Sequence, residues 1–256
     1  MTYFVTGATG FIGRHLVANL LKRKGTIYCL VRRGSMDKFE QLRESLGTDE
    51  KRLVAVHGDL AKPRLGVSPA QVKNLAGKVQ HFFHLAALYD LSADAESQVT
   101  ANVEGTRNAV ALAEAVKAGC FHHTSSIAAA GLYPGVFRED MFDEAEELDH
   151  PYFRTKHDSE GLVRKECTRP WRIYRPGIVV GNSRNGEMDK IDGPYYFFRL
   201  IKKLRQTLPP WVPTVGLEGG RLNLVPVDWV ADAMDHIAHK ANLDGHCFHL
   251  TDPNPK

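Results

Sequence analysis

TGATGFIG, residues 6–13, places three glycines between two segments of different periodicity. The apolar run YFVT (3–6) before it is typical of a buried strand, and the amphipathic run over 11–23 after it is typical of a helix. Three glycines at this spacing say little alone, but the order strand, glycine loop, helix is the fingerprint of a dinucleotide-binding site. The stretch therefore predicts a Rossmann-like first βα unit, and a glycine turn without a ligand is the less favoured interpretation.

The three glycines have separate roles in such a loop. Gly7 permits the tight turn, Gly10 lets the backbone approach a pyrophosphate, and Gly13 allows the helix to pack closely on the strand. The helix N-terminus then presents unpaired N–H groups to the phosphates. The cofactor-binding residues predicted in this loop are Thr6, Gly7, Thr9, Gly10, Phe11, Ile12 and Gly13.

Short apolar runs alternate with longer amphipathic ones along most of the chain. Strands separated by helices of this length are typical of βαβ units and a parallel sheet. We therefore expect an α/β fold, a Rossmann-like doubly wound parallel sheet with helices on both faces. The predicted strands are 3–6, 26–31, 53–58, 80–86, 120–126, 172–180 and 246–250. The predicted helices are 11–23, 36–46, 69–76, 93–117 and 151–166.

Two arginines follow the second predicted strand. NAD-binding folds carry an acidic residue about 20 residues beyond the glycine loop, where it binds the ribose 2′-hydroxyl. Here Arg32 and Arg33 occupy that place. Guanidinium groups bind a 2′-phosphate, whereas a carboxylate would repel it, so the sequence favours NADPH over NAD. The alternative is a pair of solvated basic residues.

Further cofactor candidates follow the third and fourth strands, because a ligand of an open α/β sheet lies across the carboxyl ends of its strands. Asp59, beside Leu60, could reach the adenine amino group, and the small Ala86 and Ala87 would let the backbone pass near the ribose and pyrophosphate.

The alternation of strands and helices stops near residue 181. We expect an NADP-binding Rossmann domain over 1–181, a substrate loop or lid region over 182–226, and a return to the Rossmann sheet over 227–256. The chain stops soon after a strand without a closing helix, which favours a small C-terminal substrate region that is cut short.

The segment 195–206, YYFFRLIKKLRQ, is aromatic and then basic and amphipathic. Three interpretations compete: a helix packed on the sheet, a lid that contacts an acyl chain, and a helix at a membrane surface. The packed helix is the commonest fate of such a pattern and is favoured first, the lid second and peripheral membrane contact last.

The composition bounds the class of protein. The 256 residues are 43% hydrophobic and 25% charged, which is ordinary for a soluble globular protein. A formal charge of +3 is too mild to indicate a nucleic-acid partner. The four cysteines fit no zinc spacing, no metal site is expected, and neither a signal peptide nor a membrane span is indicated. We expect a cytoplasmic enzyme with a small-molecule substrate, and its oligomeric state is left open.

A set of groups suited to carbonyl reduction follows the fifth strand. Ser125 and Ser126 end CFHHTSS, and Tyr152 and Lys156 lie one helical turn apart in HPYFRTKHD. The serine would hydrogen-bond a carbonyl, the tyrosine would supply a proton, and the lysine would stabilise the phenolate and bind the nicotinamide ribose. Free tyrosine titrates near 10, so this role needs the cationic neighbour.

TGATGFIG, the serine pair, YFRTK and YRPG (174–177) together resemble the extended short-chain dehydrogenase/reductase family over essentially the whole chain. The resemblance implies that Ser126, five residues before Gly131, is the catalytic serine, and that Tyr152 and Lys156 are the catalytic pair. It also implies that Asn102 in NVEGT supports the active-site helix. The cofactor-binding residues implied beyond the strand ends are Ser125, Tyr152, Lys156, Pro176, Gly177 and Ile178.

HTSSIAAAGLYPGVFREDMF and GEMDKIDGPYYFFRLIKKLR look most like the fatty acyl-CoA reductase branch of that family. This resemblance implies NADPH-dependent reduction of long-chain acyl-CoA to an aldehyde or alcohol. Three alternatives stay open: a sugar-nucleotide epimerase or dehydratase, a ketone or aldehyde reductase, and a noncatalytic dinucleotide sensor. The arginines argue against the first, and the intact Tyr152/Lys156 pair argues against the last.

Overall fold

A computed structural model describes residues 1–87, 95–188, 203, 205–207 and 222–254. The strands of this part of the chain match the predicted positions closely, except that two strands replace the one predicted over 172–180 and that the strand Leu224–Pro226 was not predicted. They are β1 (Thr2–Thr6), β2 (Thr26–Val31), β3 (Leu53–His57), β4 (His81–His84), β5 (Cys120–Thr124), β6 (Trp171–Pro176), β7 (Ile178–Val180), β8 (Leu224–Pro226) and β9 (His246–Leu250).

Amphipathic helices connect most of these strands. The α-helices are α1 (Phe11–Leu21), α2 (Met36–Ser45), α3 (Pro69–Leu75), α4 (Ala95–Ala115), α5 (Pro151–Glu166) and α6 (Val227–Ala238). Across the described residues, none of these helices is both long and apolar enough to cross a membrane.

The main sheet has seven parallel strands in the order β3-β2-β1-β4-β5-β6-β9. The chain winds outward from β1 in one direction through β2 and β3, and then in the other direction from β4. The strand order therefore reverses between β1 and β4, and the loops after these two strands border the crevice where open α/β sheets bind ligands.

Helices cover both faces of this sheet, so the predicted doubly wound fold is confirmed. Successive side chains of a strand point to opposite faces. Tyr3 of β1 packs into one core with α1 and α6, and Phe4 packs into the other with α4 and α5. The second core contains a row of phenylalanine rings: Phe4 stacks on Phe82 at 4.7 Å, and Phe121 is tilted against Phe82 at 5.4 Å between ring centroids.

The prediction of one strand over 172–180 is wrong. β6 ends at Pro176, and the residues after Gly177 form β7, which pairs with β8 in a separate two-stranded sheet. An ideal Cβ at Gly177 would lie 2.8 Å from the Asn223 carbonyl oxygen, so only glycine lets the two segments approach this closely. Apolar residues continue through the whole stretch, which is why periodicity alone does not reveal the change of sheet.

The C-terminal segment contains β9, which pairs with β6 in the main sheet, and α6, which the prediction omitted. The region 182–226 is described only at its ends and at residues 203 and 205–207. Most of the aromatic and basic stretch 195–206 therefore lies outside the described residues, and its three interpretations stay open. The division into domains stays a prediction.

Candidate active site

The glycine loop is built by close contacts between backbone atoms. Gly7 has a φ of +75°, in the region that favours glycine, and the Gly10 N–H donates to its carbonyl at 3.0 Å. An ideal Cβ on Gly13 would lie 2.0 Å from that same carbonyl oxygen. A Cβ on Gly7 would lie 2.8 Å from the Ala86 nitrogen. The glycines thus allow α1 to pack on β1 and the loop after β1 to contact the loop after β4.

A cleft of about 280 Å³ opens beside this loop, at the carboxyl ends of β1, β2, β3 and β4. Eight predicted cofactor-binding residues line it: Gly7, Thr9, Gly10, Arg32, Asp59, Leu60, Ala86 and Ala87. Four further residues line it that the sequence analysis missed: Leu30, Val31, Ser35 and Leu85. Ser35 could have been suspected, because it follows the arginine pair by two residues and carries a hydroxyl that can bind phosphate.

The other predicted residues of this region do not line the cleft. Arg33 is exposed beside it, and Phe11 and Ile12 open α1. Thr6 and Gly13 are buried behind the loop. The structure therefore separates residues that face the cleft from residues that shape it.

A buried chain of hydrogen bonds fixes the loop after β4. The Thr106 hydroxyl donates to the Asn102 carbonyl at 3.0 Å, so its oxygen can accept from His84 Nε2 at 3.3 Å. His84 Nδ1 then accepts from the Thr6 hydroxyl at 2.8 Å, and the Thr6 oxygen accepts from the Ala86 N–H at 3.2 Å. Each donor finds one acceptor only if the imidazole is neutral. Burial, His123 and Lys156 lower the pKa of His84 well below its usual value, which keeps it neutral.

Ser126 follows β5 and caps a short 3₁₀ helix over Ile127–Ala130. Its side-chain oxygen accepts a hydrogen bond from the Ala128 N–H at 3.2 Å. A serine hydroxyl that accepts from the backbone keeps its own proton for another partner. Ser126 can therefore donate a hydrogen bond to a carbonyl oxygen placed beside it.

Tyr152 and Lys156 lie on α5, whose bounds match the prediction. Pro151 opens this helix, and the His150 ring nitrogen accepts from the Tyr152 N–H at 3.2 Å. The Tyr152 residue is 42% exposed, so its phenol is accessible to a substrate. Burial and then the Lys156 ammonium lower the pKa of His123, a residue of β5, to about 3.

A fully buried carboxylate connects α5 to the strands beneath it. Glu160, one turn after Lys156, accepts from the Ser125 hydroxyl at 2.8 Å and from Arg175 Nη2 at 2.6 Å. Arg164 Nη2 donates to it at 2.8 Å. Burial raises the pKa of Glu160, but its hydrogen bond to Arg175 and the charges of both arginines outweigh this and hold it below the usual value.

The bond to Glu160 uses the hydroxyl proton of Ser125, which is one of the predicted cofactor-binding residues. The Ser125 hydroxyl donates its proton to Glu160, so toward a cofactor its oxygen could act only as an acceptor. Sequence reasoning missed Glu160, although it continues the spacing of Tyr152 and Lys156 by another four residues on the same helix face.

The remaining predicted residues lie on neighbouring elements. Pro176, Gly177 and Ile178 pass the carboxyl end of β6, the strand beside β5. Asn102 lies on α4, and its carbonyl closes the chain that begins at Ala86. The roles of these residues stay predictions.

The comparisons with known proteins agree with this geometry. The family model described as male sterility protein matches residues 5–234. The chain belongs to the male sterility protein family. This family is of the extended short-chain dehydrogenase/reductase type, so the recognition made from the sequence motifs is confirmed.

Some relatives of this chain are much longer proteins, and the chain matches only a part of them. It is 32% identical to the non-canonical nonribosomal peptide synthetase hkm10 of Aspergillus hancockii, over 98% of this chain and 26% of the synthetase. The chain thus spans about a quarter of the length of that relative.

Two crystal structures share the fold. The terminal R domain from the myxalamid PKS-NRPS biosynthetic pathway is 31% identical, with a TM-score of 0.81 over 100% of this chain and 66% of that one. The reductase (R) domain of a nonribosomal peptide synthetase from Mycobacterium tuberculosis is 25% identical, with a TM-score of 0.75 over 99% and 67%. The chain is thus similar in sequence and fold to these domains, and the expectation of a fatty acyl-CoA reductase stays a prediction.

Proposed function

We propose that this protein is an NADPH-dependent reductase that converts an acyl thioester to an aldehyde and a free thiol. The observation that carries the proposal is the hydroxyl proton of Ser126, which no described residue accepts, at the sheet edge that also holds the glycine-loop cleft. Tyr152 and Lys156 complete a proton-donating set. A thioester is favoured over a ketone because both similar crystal structures are R domains, which belong to a PKS-NRPS pathway and a nonribosomal peptide synthetase.

The residues of the cleft fit NADPH. Glycine backbone at Gly7 and Gly10 leaves room for a pyrophosphate, and the N-terminus of α1 would present its N–H groups to it. Arg32 and Ser35, at the end of β2, supply a cation and a hydroxyl for a 2′-phosphate. The Asp59 carboxylate, which also lines the cleft, can accept from an adenine amino group. When bound, NADPH supplies the hydride.

The protein's own groups would act on the substrate oxygen. Ser126 donates a hydrogen bond to the thioester carbonyl, which polarises it. Tyr152 transfers its phenol proton to that oxygen as charge develops there, and the Lys156 ammonium stabilises the phenolate that remains. The phenolate then recovers the proton as the carbon–sulfur bond breaks, the aldehyde forms, and the sulfur leaves as a thiol with a proton from solvent.

The carrier of the acyl group is tested separately. Coenzyme A and a carrier protein both present an acyl group on a phosphopantetheine thiol, so fatty acyl-CoA is one form of the proposed substrate and a carrier-bound thioester is the other. The experiment follows NADPH absorbance and aldehyde release with palmitoyl-CoA and with palmitoyl-carrier protein. Turnover of either supports the proposal, whereas turnover of ketones but of neither thioester overturns it.

Tyr152→Phe is the matched variant, since it removes one oxygen atom. We expect turnover to fall by about 10² to 10⁴, the usual contribution of general acid catalysis, with the Kd for NADPH within a few-fold of the wild-type value. Full activity in this variant would remove Tyr152 from the mechanism.

Arg32→Glu tests the cofactor. A carboxylate would repel a 2′-phosphate and accept from a 2′-hydroxyl, so the ratio of kcat/KM with NADPH to that with NADH should fall by at least about tenfold. Arg33→Glu is the control, because Arg33 lies outside the cleft lining and should change the ratio less. An unchanged ratio in Arg32→Glu would mean that another group binds the 2′-phosphate.

A further inference from the structure

The turn that carries Ser126 is bonded to α5 on both sides of that residue. On the side of β5, the Ser125 hydroxyl donates to Glu160 Oε2 at 2.8 Å. On the side of the 3₁₀ helix, the Ala129 carbonyl lies 3.1 Å from His157 Nδ1. Both partners belong to the helix that also carries Tyr152 and Lys156.

We propose that His157 and Glu160 are positioning residues that clamp the Ser126 turn to α5. The clamp sets the distance between the Ser126 hydroxyl and the Tyr152 phenol, two groups that must reach the same substrate oxygen. This role rests on the proposed reduction of a carbonyl at this site.

The Glu160 side of the clamp is rigid because the carboxylate is itself held. Its side chain is fully buried, and both of its oxygens bind Arg175, a residue of β6 that is almost completely buried. Arg175 in turn donates to the Met141 carbonyl at 2.9 Å. Ser125 is therefore bonded to a group that cannot turn away without leaving buried charges unpaired.

The His157 side of the clamp is oriented by stacking. The imidazole lies parallel to the Phe142 ring, at 4.3 Å between centroids and an interplanar angle of 3°. The guanidinium of Arg164 lies over the same phenylalanine ring at 4.9 Å. A carbonyl oxygen only accepts, so Nδ1 of His157 must carry the proton of this bond.

Two bonds of this kind matter because catalysis depends steeply on position. A displacement of about 1 Å between reacting groups can cost about 10²-fold in rate. Ser126 lies two residues beyond the end of β5, at the start of its own short helix. Its place relative to Tyr152 is then set by bonds to α5, rather than by the parallel sheet alone.

The test uses variants of the full chain that remove one bond each. Ser125→Ala removes the bond to Glu160, and His157→Leu removes the bond to Ala129. Each should lower kcat by about tenfold, the effect of one hydrogen bond, and the double variant by more than either. The KM for the thioester and the Kd for NADPH should stay within about twofold of the wild-type values, because neither residue lines the cleft.

A conservative variant separates positioning from general damage. In His157→Asn the amide nitrogen can take the place of Nδ1, so we expect kcat to recover to within about threefold of wild type. Ser45→Ala is the control for Ser125→Ala, because Ser45 makes a comparable bond to the Leu42 carbonyl far from the site. It should leave kcat unchanged.

Amide hydrogen exchange tests the clamp without any substrate. The Ala129 and Gly131 amides bond within the turn, and in His157→Leu they should exchange at least about tenfold faster than in His157→Asn. Faster exchange in His157→Leu, together with a wild-type protein that reduces no thioester, would support the clamp and refute the proposed function. Normal kcat in both single variants, with unchanged exchange, would overturn the clamp while leaving the proposed function standing.

Discussion

At the scale of single residues, the glycine loop leaves no room for one methyl group. An ideal Cβ at position 13 meets the Gly7 carbonyl oxygen at 2.0 Å and Ala8 Cα at 3.0 Å, which are backbone atoms that cannot turn aside. Gly13→Ala should therefore distort the loop, weaken NADPH binding by at least about tenfold, and lower the free energy of unfolding by about 1–3 kcal/mol. Fluorescence titration and urea unfolding measure the two effects.

Gly105→Ala is the control, and its expected change in the free energy of unfolding has the opposite sign. Gly105 lies inside α4, and a Cβ there would make only an ordinary contact with Leu60 at 3.5 Å. Replacing an interior helical glycine by alanine should stabilise the protein by about 0.5–1 kcal/mol. If Gly13→Ala bound NADPH as wild type does, the loop would not be the phosphate site.

The residue scale also shows what the sequence could and could not predict. The roles of Gly7 and Gly13 depend on backbone geometry that a strand–loop–helix order already implies, so the pattern reveals them. The contacts of His84 and Glu160 depend on which strands are neighbours. His84 bonds across 78 positions to Thr6, and Glu160 bonds across 35 to Ser125, and no local spacing records such partners.

At the scale of elements, the loop after β3 holds a strained backbone beside the cleft. Arg64 and Leu65 are left-handed, with φ values of 49° and 58°. The Leu65 carbonyl accepts from the Asp59 N–H at 2.8 Å, and the Leu65 side chain is fully buried. The left-handed backbone thus places the Leu65 carbonyl where it can bond to Asp59, a residue that lines the cleft.

Arg64→Gly should relieve this strain. A left-handed residue other than glycine costs about 1–2 kcal/mol, part of which the greater freedom of glycine in the unfolded chain offsets. Because Arg64 is exposed, we expect a net gain of about 0.5–1 kcal/mol in urea unfolding. Leu65→Gly should instead lose about 2–5 kcal/mol, since it removes a buried side chain. Destabilisation by Arg64→Gly would show that its side chain, rather than its backbone, matters.

At the scale of elements, hydrophobic periodicity also failed to predict one boundary between strands. The start of α5 was predictable because Pro151 is a residue that favours the first position of a helix. The stretch 172–180 was not, because apolar residues continue while the chain changes sheets at Gly177. That change depends on the close approach of Asn223, which lies 46 positions later and has no local counterpart in the sequence.

At the scale of the whole molecule, helices cover both faces of the sheet, so histidines are buried on both of its sides. His122 and His123 are adjacent on β5 and point to opposite faces, yet both are buried. His122 bonds to Tyr174 at 2.9 Å and to His81 at 3.0 Å. Neither ring nitrogen of His123 has a hydrogen-bond partner among the residues that the structure describes. Burial lowers the pKa of all of these imidazoles, with His81 at about 4 and His123 at about 3.

These buried histidines make the protein sensitive to acid. The unfolded chain binds protons near pH 6.5, whereas the native imidazoles stay neutral, so the free energy of unfolding falls as the pH drops below 6.5. Each group can contribute up to about 1.4 kcal/mol per pH unit, until the pH reaches its native pKa. We expect His123→Leu to reduce the loss between pH 7 and pH 5 by about 1–2 kcal/mol, because it removes one group whose native pKa is lowered to about 3. Urea unfolding at the two pH values measures the difference, with the exposed His246 as the site of a control His246→Leu. Equal losses in the His123→Leu and wild-type proteins would mean that His123 does not contribute to the acid sensitivity.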